Sequence, residues 1–77
     1  MALDVQGELN RLAGTFGLGE ARAADVYAGT TGLEVVGALN VKAGFTNPRD
    51  YLDMQGVCNK LAGTTGLGVA GALAAIP

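Results

Sequence analysis

Apolar residues in this chain recur at helical spacing. Val5, Leu9 and Leu12 are separated by four and three residues, so all three fall on one face of a helix. A β-strand would instead alternate apolar and polar residues, and the sequence lacks that alternation. The pattern therefore predicts short amphipathic helices. The same spacing is repeated at Met54, Cys58 and Leu61 and at Val69, Leu73 and Ile76.

A repeat of 15 residues divides the sequence into units. The near-identical strings AGTFGL and AGTTGL begin at Ala13, Ala28 and Ala62. Each unit opens with a leucine, and these opening leucines are separated by 15, 15, 19 and 15 residues. We therefore predict an all-α fold, a single small domain over residues 1–77 with about five short helices joined by AGTTG turns. The opening leucines are Leu3, Leu18, Leu33, Leu52 and Leu67, and the units are 3–17, 18–32, 33–51, 52–66 and 67–77.

A glycine follows an alanine at the end of four predicted helices. Glycine in this place is typical of a left-handed C-terminal residue, a conformation that it adopts without steric cost. We therefore expect each of these glycines to end a helix. They are Gly14, Gly29, Gly44 and Gly63.

Two predicted helices have capping signals at their starts. Thr31 and Glu34 have the spacing of a capping box, which predicts Thr31 as the N-cap of the third helix. The longer third unit contains Asn47 and Pro48, typical of an N-cap followed by the first helical residue. Because its four extra residues amount to about one helical turn, we expect them to lengthen the fourth helix.

An asparagine recurs among apolar neighbours in three units, at Asn10, Asn40 and Asn59. In a structural interpretation, each amide bonds to the backbone of an adjacent turn and satisfies polar groups that would otherwise be buried without partners. In a functional interpretation, the three amides form a ladder on the surface that binds a partner chain. The structural interpretation is the one that we favour.

Small residues inside the units predict close packing. Gly7, Gly37, Gly56 and Gly71 weaken their helices relative to alanine, so their recurrence indicates close approach of helix backbones. Cys58 takes the place held by Leu9 in the first unit, which indicates a core residue rather than a reactive thiol.

Composition and charge argue against most chemical functions. A net charge of −2 provides no basic face for nucleic acid or anionic membrane. With no histidine and one cysteine, the sequence predicts no metal site, no cofactor and no catalytic centre. Residues 66–71 match the dinucleotide motif GxGxxG, but the repeat already accounts for Gly66 and Gly71. We therefore expect a non-enzymatic protein without a small-molecule substrate.

The strings LDVQGELNRLAGTFGL, AGTTGLEVVGALNVKAG and LDMQGVCNKLAGTTGLGVAGAL resemble repeats of small virion structural proteins in tailed phages of actinobacteria. The resemblance extends from Leu3 to about Ile76, although Ala74 replaces the repeated asparagine. It implies a protein made in the host cytoplasm and built into the virion in many copies, packed on the major capsid protein or other virion subunits. A capsid-associated minor or decoration protein is the leading expectation. A minor tail component and a free helical adaptor or assembly protein are the alternatives.

The last predicted helix is the expected partner-binding element. Residues 69–76 contain no charged side chain, and an unpaired helix there would leave Val69, Leu73 and Ile76 exposed. We therefore predict these three residues as the docking surface.

Overall fold

The structure, a computed structural model, describes residues 4–77 and is helical throughout its regular elements. Within residues 4–77, five α-helices and one 3-10 turn follow one another, which confirms the predicted all-α array of short helices. The helices are α1 (Val5–Ala13), α2 (Glu20–Ala28), α3 (Val35–Lys42), α4 (Met54–Ala62) and α5 (Val69–Ala74), and the 3-10 turn is Pro48–Asp50.

Three helices end on a glycine in the left-handed conformation. Gly14, Gly29 and Gly63 have φ values of 72°, 74° and 71°, as the sequence predicted for these positions. In the first unit, the N–H of Thr15 then donates to the carbonyl of Asn10 at 3.0 Å. This bond satisfies one of the carbonyls that a helix end leaves without an intrahelical partner.

The third helix ends one residue earlier in its unit. Ala43 is its C-cap in right-handed conformation, and Gly44 follows with a φ of 102°. Gly44 is therefore the left-handed residue of this turn, but it is not itself the residue that caps α3.

Each helix starts just after the leucine that opens its unit. The side chain of Asp4 accepts a hydrogen bond from the N–H of Gln6, and α3 has Glu34 as its N-cap, without a side-chain cap bond. The prediction of Thr31 as N-cap is therefore wrong, since Thr31 lies in a bend before Leu33. An asparagine of the preceding helix binds the N–H of Leu18, Leu52 and Leu67, and the next helix begins two residues after each of these leucines.

The four extra residues of the third unit lie in a connection. Asn47 caps the 3-10 turn by accepting from the N–H of Arg49 at 3.1 Å, and it does not cap α4. Helix α4 starts at Met54, two residues after Leu52, and is nine residues long, the same length as α1. The predicted lengthening of the fourth helix is therefore wrong.

The helices pack into a closed ring. Each helix contacts its neighbours in sequence, and α5 also contacts α1. The Cα atoms extend over 36 × 28 × 16 Å, a flattened shape. One residue from the same place in every unit has no exposed surface, and together these side chains form the centre of the core. They are Leu9, Ala24, Leu39, Cys58 and Leu73.

The atoms nearest to two glycines inside the helices belong to the glycine's own unit. A Cβ added at Gly56 would lie 2.8 Å from Oδ1 of Asp53 and 3.4 Å from Cβ of Leu52. A Cβ at Gly37 would lie 3.6 Å from Cβ of Leu33. The expected close approach between helix backbones is therefore wrong for these two positions, because the nearest atoms belong to the start of the same unit.

Candidate interaction surface

The side chain of Asn10 joins α1 to the start of the second unit. Its Nδ2 donates to the carbonyls of Gln6 and Leu18, both at 2.9 Å. Its Oδ1 accepts from the N–H of Leu18 at 3.1 Å and from the hydroxyl of Thr15 at 2.8 Å. The amide therefore binds both backbone polar groups of the leucine that opens the next unit.

Asn59 makes the same four bonds in the fourth unit. Its Nδ2 donates to the carbonyls of Gln55 and Leu67, both at 2.8 Å. Its Oδ1 accepts from the N–H of Leu67 at 3.2 Å and from the hydroxyl of Thr64 at 2.7 Å. We call this bonding pattern between an asparagine and the next opening leucine the asparagine clamp.

Asn40 forms the clamp across the longest connection. It donates to the carbonyls of Val36 and Leu52 at 2.8 and 3.0 Å, and it accepts from the N–H of Leu52 at 2.8 Å. Its side chain has no exposed surface. The three asparagines are thus buried hydrogen-bonding residues, as in the structural interpretation, and the interpretation as a surface ladder is wrong.

The second unit lacks the clamp because it has Asp25 in place of asparagine. A carboxylate accepts hydrogen bonds but donates none. Oδ1 of Asp25 accepts from the hydroxyl of Thr30, and within residues 4–77 Asp25 makes no hydrogen bond to Leu33. The joint between α2 and α3 therefore has no clamp, although the Lys42 ammonium of α3 lies 4.9 Å from the centre of the Tyr27 ring of α2.

The last helix belongs to the core and does not form an exposed docking face. Leu73 has no exposed surface, Ile76 is 6% exposed and Val69 is partly buried. Arg11 donates to the carbonyls of both Leu73 and Ile76 at 3.0 Å, which fastens α5 to α1. The prediction of Val69, Leu73 and Ile76 as a partner-binding surface is wrong, because closure of the ring covers that side of α5.

The most exposed large apolar side chain of the described region is Phe16. It is 100% exposed in the turn after α1, where the second and fourth units have Thr31 and Thr65. A cleft of about 450 Å³ lies beside it, lined in part by Gln6 and Arg11. Sequence reasoning missed Phe16, although the change from AGTTG to AGTFG was a visible signal. Other exposed apolar residues are Val26, Leu52 and Leu67.

A second concave region crosses the starts of three helices. This groove has a volume of about 510 Å³. Helix α2 contributes Glu20 and Ala21, the start of α3 contributes Glu34 with two valines, and α4 contributes Met54. Its floor is apolar, whereas both glutamates are exposed.

The glycines of the GxGxxG string and the thiol of Cys58 have structural roles. Gly66 has a φ of 76° in a turn, and Gly68 is the N-cap of α5, so these glycines of the GxGxxG string shape a helix connection. Burial raises the pKa of the Cys58 thiol to about 11, which keeps it neutral at physiological pH. Within residues 4–77, no three or more His, Cys, Asp or Glu side chains come close enough to hold a metal ion. No helix of that part of the chain has the length and apolar character that a bilayer crossing needs.

Comparisons with protein families, with curated proteins and with solved structures find no match to this chain.

Proposed function

We propose that this chain is a non-enzymatic structural protein of a tailed-phage particle, docked on the capsid shell as a minor or decoration protein. The resemblance of its repeats to virion proteins suggests the setting. The closed ring of helices supports a role as a preformed module, since its buried polar side-chain atoms in the described region all have hydrogen-bond partners.

The observation that carries the proposal is the full exposure of Phe16. The free energy falls when a partner covers a phenyl ring that was exposed to water, and aromatic residues are common anchors of protein interfaces. Because the corresponding turns have Thr31 and Thr65, the fold does not require an aromatic residue here. Phe16 is therefore suited to contact another protein.

Mass spectrometry of purified particles tests the proposal. We expect the chain in many copies per particle and, after separation of heads from tails, in the head fraction. Recovery with the tails would support the minor tail alternative. Recovery only as free protein in the lysate would support an adaptor or assembly role and contradict a virion role.

A matched pair of variants tests the anchor. Phe16→Thr introduces the residue found in the equivalent turns, so we expect the fold to be kept and retention on particles to fall by about tenfold or more. Val26→Thr changes another exposed apolar residue, 50% exposed, and we expect it to leave retention unchanged. Equal retention of both variants and the unmodified chain would contradict a docking role for Phe16.

A further inference from the structure

We propose that the groove formed by Glu20, Ala21, Glu34, Val35, Val36 and Met54 binds a basic amphipathic segment of a partner protein. We call this groove the acidic groove. The expected segment has a lysine or arginine beside a leucine-sized apolar side chain. This inference deepens the proposed docking role, and it rests on that role for where the partner occurs but not for the binding chemistry.

The floor of the acidic groove offers apolar surface. Val35, Val36 and Met54 are each partly buried, so part of each side chain still faces solvent. The groove volume of about 510 Å³ is large enough for one or two side chains of a partner. Covering this surface with an apolar side chain would contribute binding free energy in proportion to the area removed from water.

The rim of the groove offers two carboxylates. Glu20 and Glu34 are both exposed, and in the described region the only ion pair joins Arg11 to Glu8. Neither rim carboxylate is therefore engaged by a cation of residues 4–77. Their charges complement a lysine or arginine at the edge of the groove.

Helix capping does not account for the Glu34 carboxylate. The side chains of Asp4 and Asp53 accept cap hydrogen bonds at the starts of α1 and α4, whereas Glu34 makes no such bond. The oxygens of Glu34 are thus left for another partner.

The combination of floor and rim selects the partner's chemistry. An acidic segment or nucleic acid would be repelled by the two carboxylates and by the net charge of −2. A wholly apolar segment would bury the carboxylates without a cation, which is costly. A hydrated cation alone would leave the apolar floor uncovered. Only a segment with both features satisfies the whole groove.

Three labelled 12-residue peptides test the inference by fluorescence polarisation against the full chain. The first has lysine and leucine on one helical face, the second has glutamine for lysine, and the third has serine for leucine. We expect the lysine–leucine peptide to bind at least about tenfold more tightly than either control at low salt, and to weaken several-fold in about 0.5 M salt.

Variants of the chain assign the binding to the groove. We expect Glu20→Gln combined with Glu34→Gln to weaken the lysine–leucine peptide by about tenfold, and Val36→Thr to weaken it by about threefold. Asp50→Asn removes an exposed carboxylate elsewhere and should change binding by less than about twofold. Thermal melting of each variant checks that the fold is kept.

Equal binding of the lysine–leucine and lysine–serine peptides would overturn the inference, because it would indicate charge attraction without the floor. Unchanged binding by the double glutamate variant would overturn it as well. Absence of peptide binding by a chain that is found on particles would remove the groove inference and leave the proposed function intact. Peptide binding by a chain absent from particles would remove the proposed function and leave the groove inference intact.

Discussion

The amide side chain explains why asparagine recurs in this repeat. An asparagine can donate to a carbonyl and accept from an N–H at the same time, and the opening leucine of the next unit presents both groups. Asn10 and Asn59 use this property in the same way, each binding the N–H and the carbonyl of one leucine. Aspartate has the same shape but cannot supply the donor.

A reciprocal pair of substitutions tests this reasoning. Asp25→Asn should complete a clamp to Leu33 and raise the free energy of unfolding by about 0.5–1.5 kcal/mol. Asn59→Asp should lower it by about 1–3 kcal/mol, because the carbonyls of Gln55 and Leu67 lose their donor. Urea denaturation measures both changes. A stability decrease in Asp25→Asn would show that the second joint is built differently.

For two glycines at the same place in their helices, we predict different effects of a substitution by alanine. Gly37→Ala should stabilise the chain by about 0.5–1 kcal/mol, since the new Cβ would sit 3.6 Å from Leu33 in ordinary contact. Gly56→Ala should lose this gain, because its Cβ would lie 2.8 Å from Oδ1 of Asp53, whose cap bond to the N–H of Gly56 would shift. Thermal melting compares the two variants. Equal stabilisation by both would contradict the role assigned to Asp53.

At the scale of the helices, their number and three of their ends could be predicted, but their starts could not. A left-handed glycine such as Gly14 is a local requirement, which the sequence displays directly. The starts depend on a contact between units: Leu52 is held by Asn40, so α4 begins after Leu52 whatever the length of the connection. The capping signal at Pro48 is local, and this nonlocal contact overrides it.

Burial of the Cys58 thiol in α4 predicts that the stability of the fold depends on pH. Because burial raises the pKa of Cys58 from 9.0 to about 11, the unfolded chain loses this proton at lower pH than the folded chain. The buried neutral thiol therefore contributes its full stabilisation below about pH 9. As the pH rises toward about 11, the free energy of unfolding falls by up to about 1.4 kcal/mol per pH unit.

Cys58→Ala is the control for this effect, since the second unit has the fully buried Ala24 at the same place. We expect its stability to fall less steeply in alkaline urea titrations. Burial also raises the pKa of Tyr27, with Arg11 acting in the opposite direction, so some alkaline dependence should persist in the variant. Identical alkaline slopes for both proteins would contradict the burial of the thiol.

At the scale of the whole molecule, closure of the ring decides which surfaces remain for partners. The apolar pattern of α5 showed that it needs a contact, but a sequence pattern does not distinguish a contact with α1 from one with another protein. The contact is with α1, because Arg11 of α1 donates hydrogen bonds to the carbonyls of Leu73 and Ile76, more than 60 residues away in the chain. The exposed Phe16 and the acidic groove are among the surfaces that the closed ring leaves accessible.

Removal of the Arg11 guanidinium should weaken this closure. We expect Arg11→Met to keep an apolar side chain of similar reach and to lower the free energy of unfolding by about 1–3 kcal/mol, since two charge-assisted hydrogen bonds are lost. Lys60→Met is the matched control, because Lys60 has the same place in the fourth unit and its ammonium lies over the Phe45 ring, 5.7 Å from its centre. It should cost less than about 1 kcal/mol. Urea denaturation compares the two, and equal losses would argue against closure by Arg11.

Amide hydrogen exchange at the opening leucines tests the central claim, that asparagine clamps join three of the four pairs of successive units. The N–H groups of Leu18, Leu52 and Leu67 are bound by asparagine oxygens, whereas Leu33 has no such partner in the described region. We predict protection of the first three amides by about a hundredfold or more in NMR exchange measurements, and little protection at Leu33. Equal protection at all four leucines, or fast exchange at all four, would contradict the account.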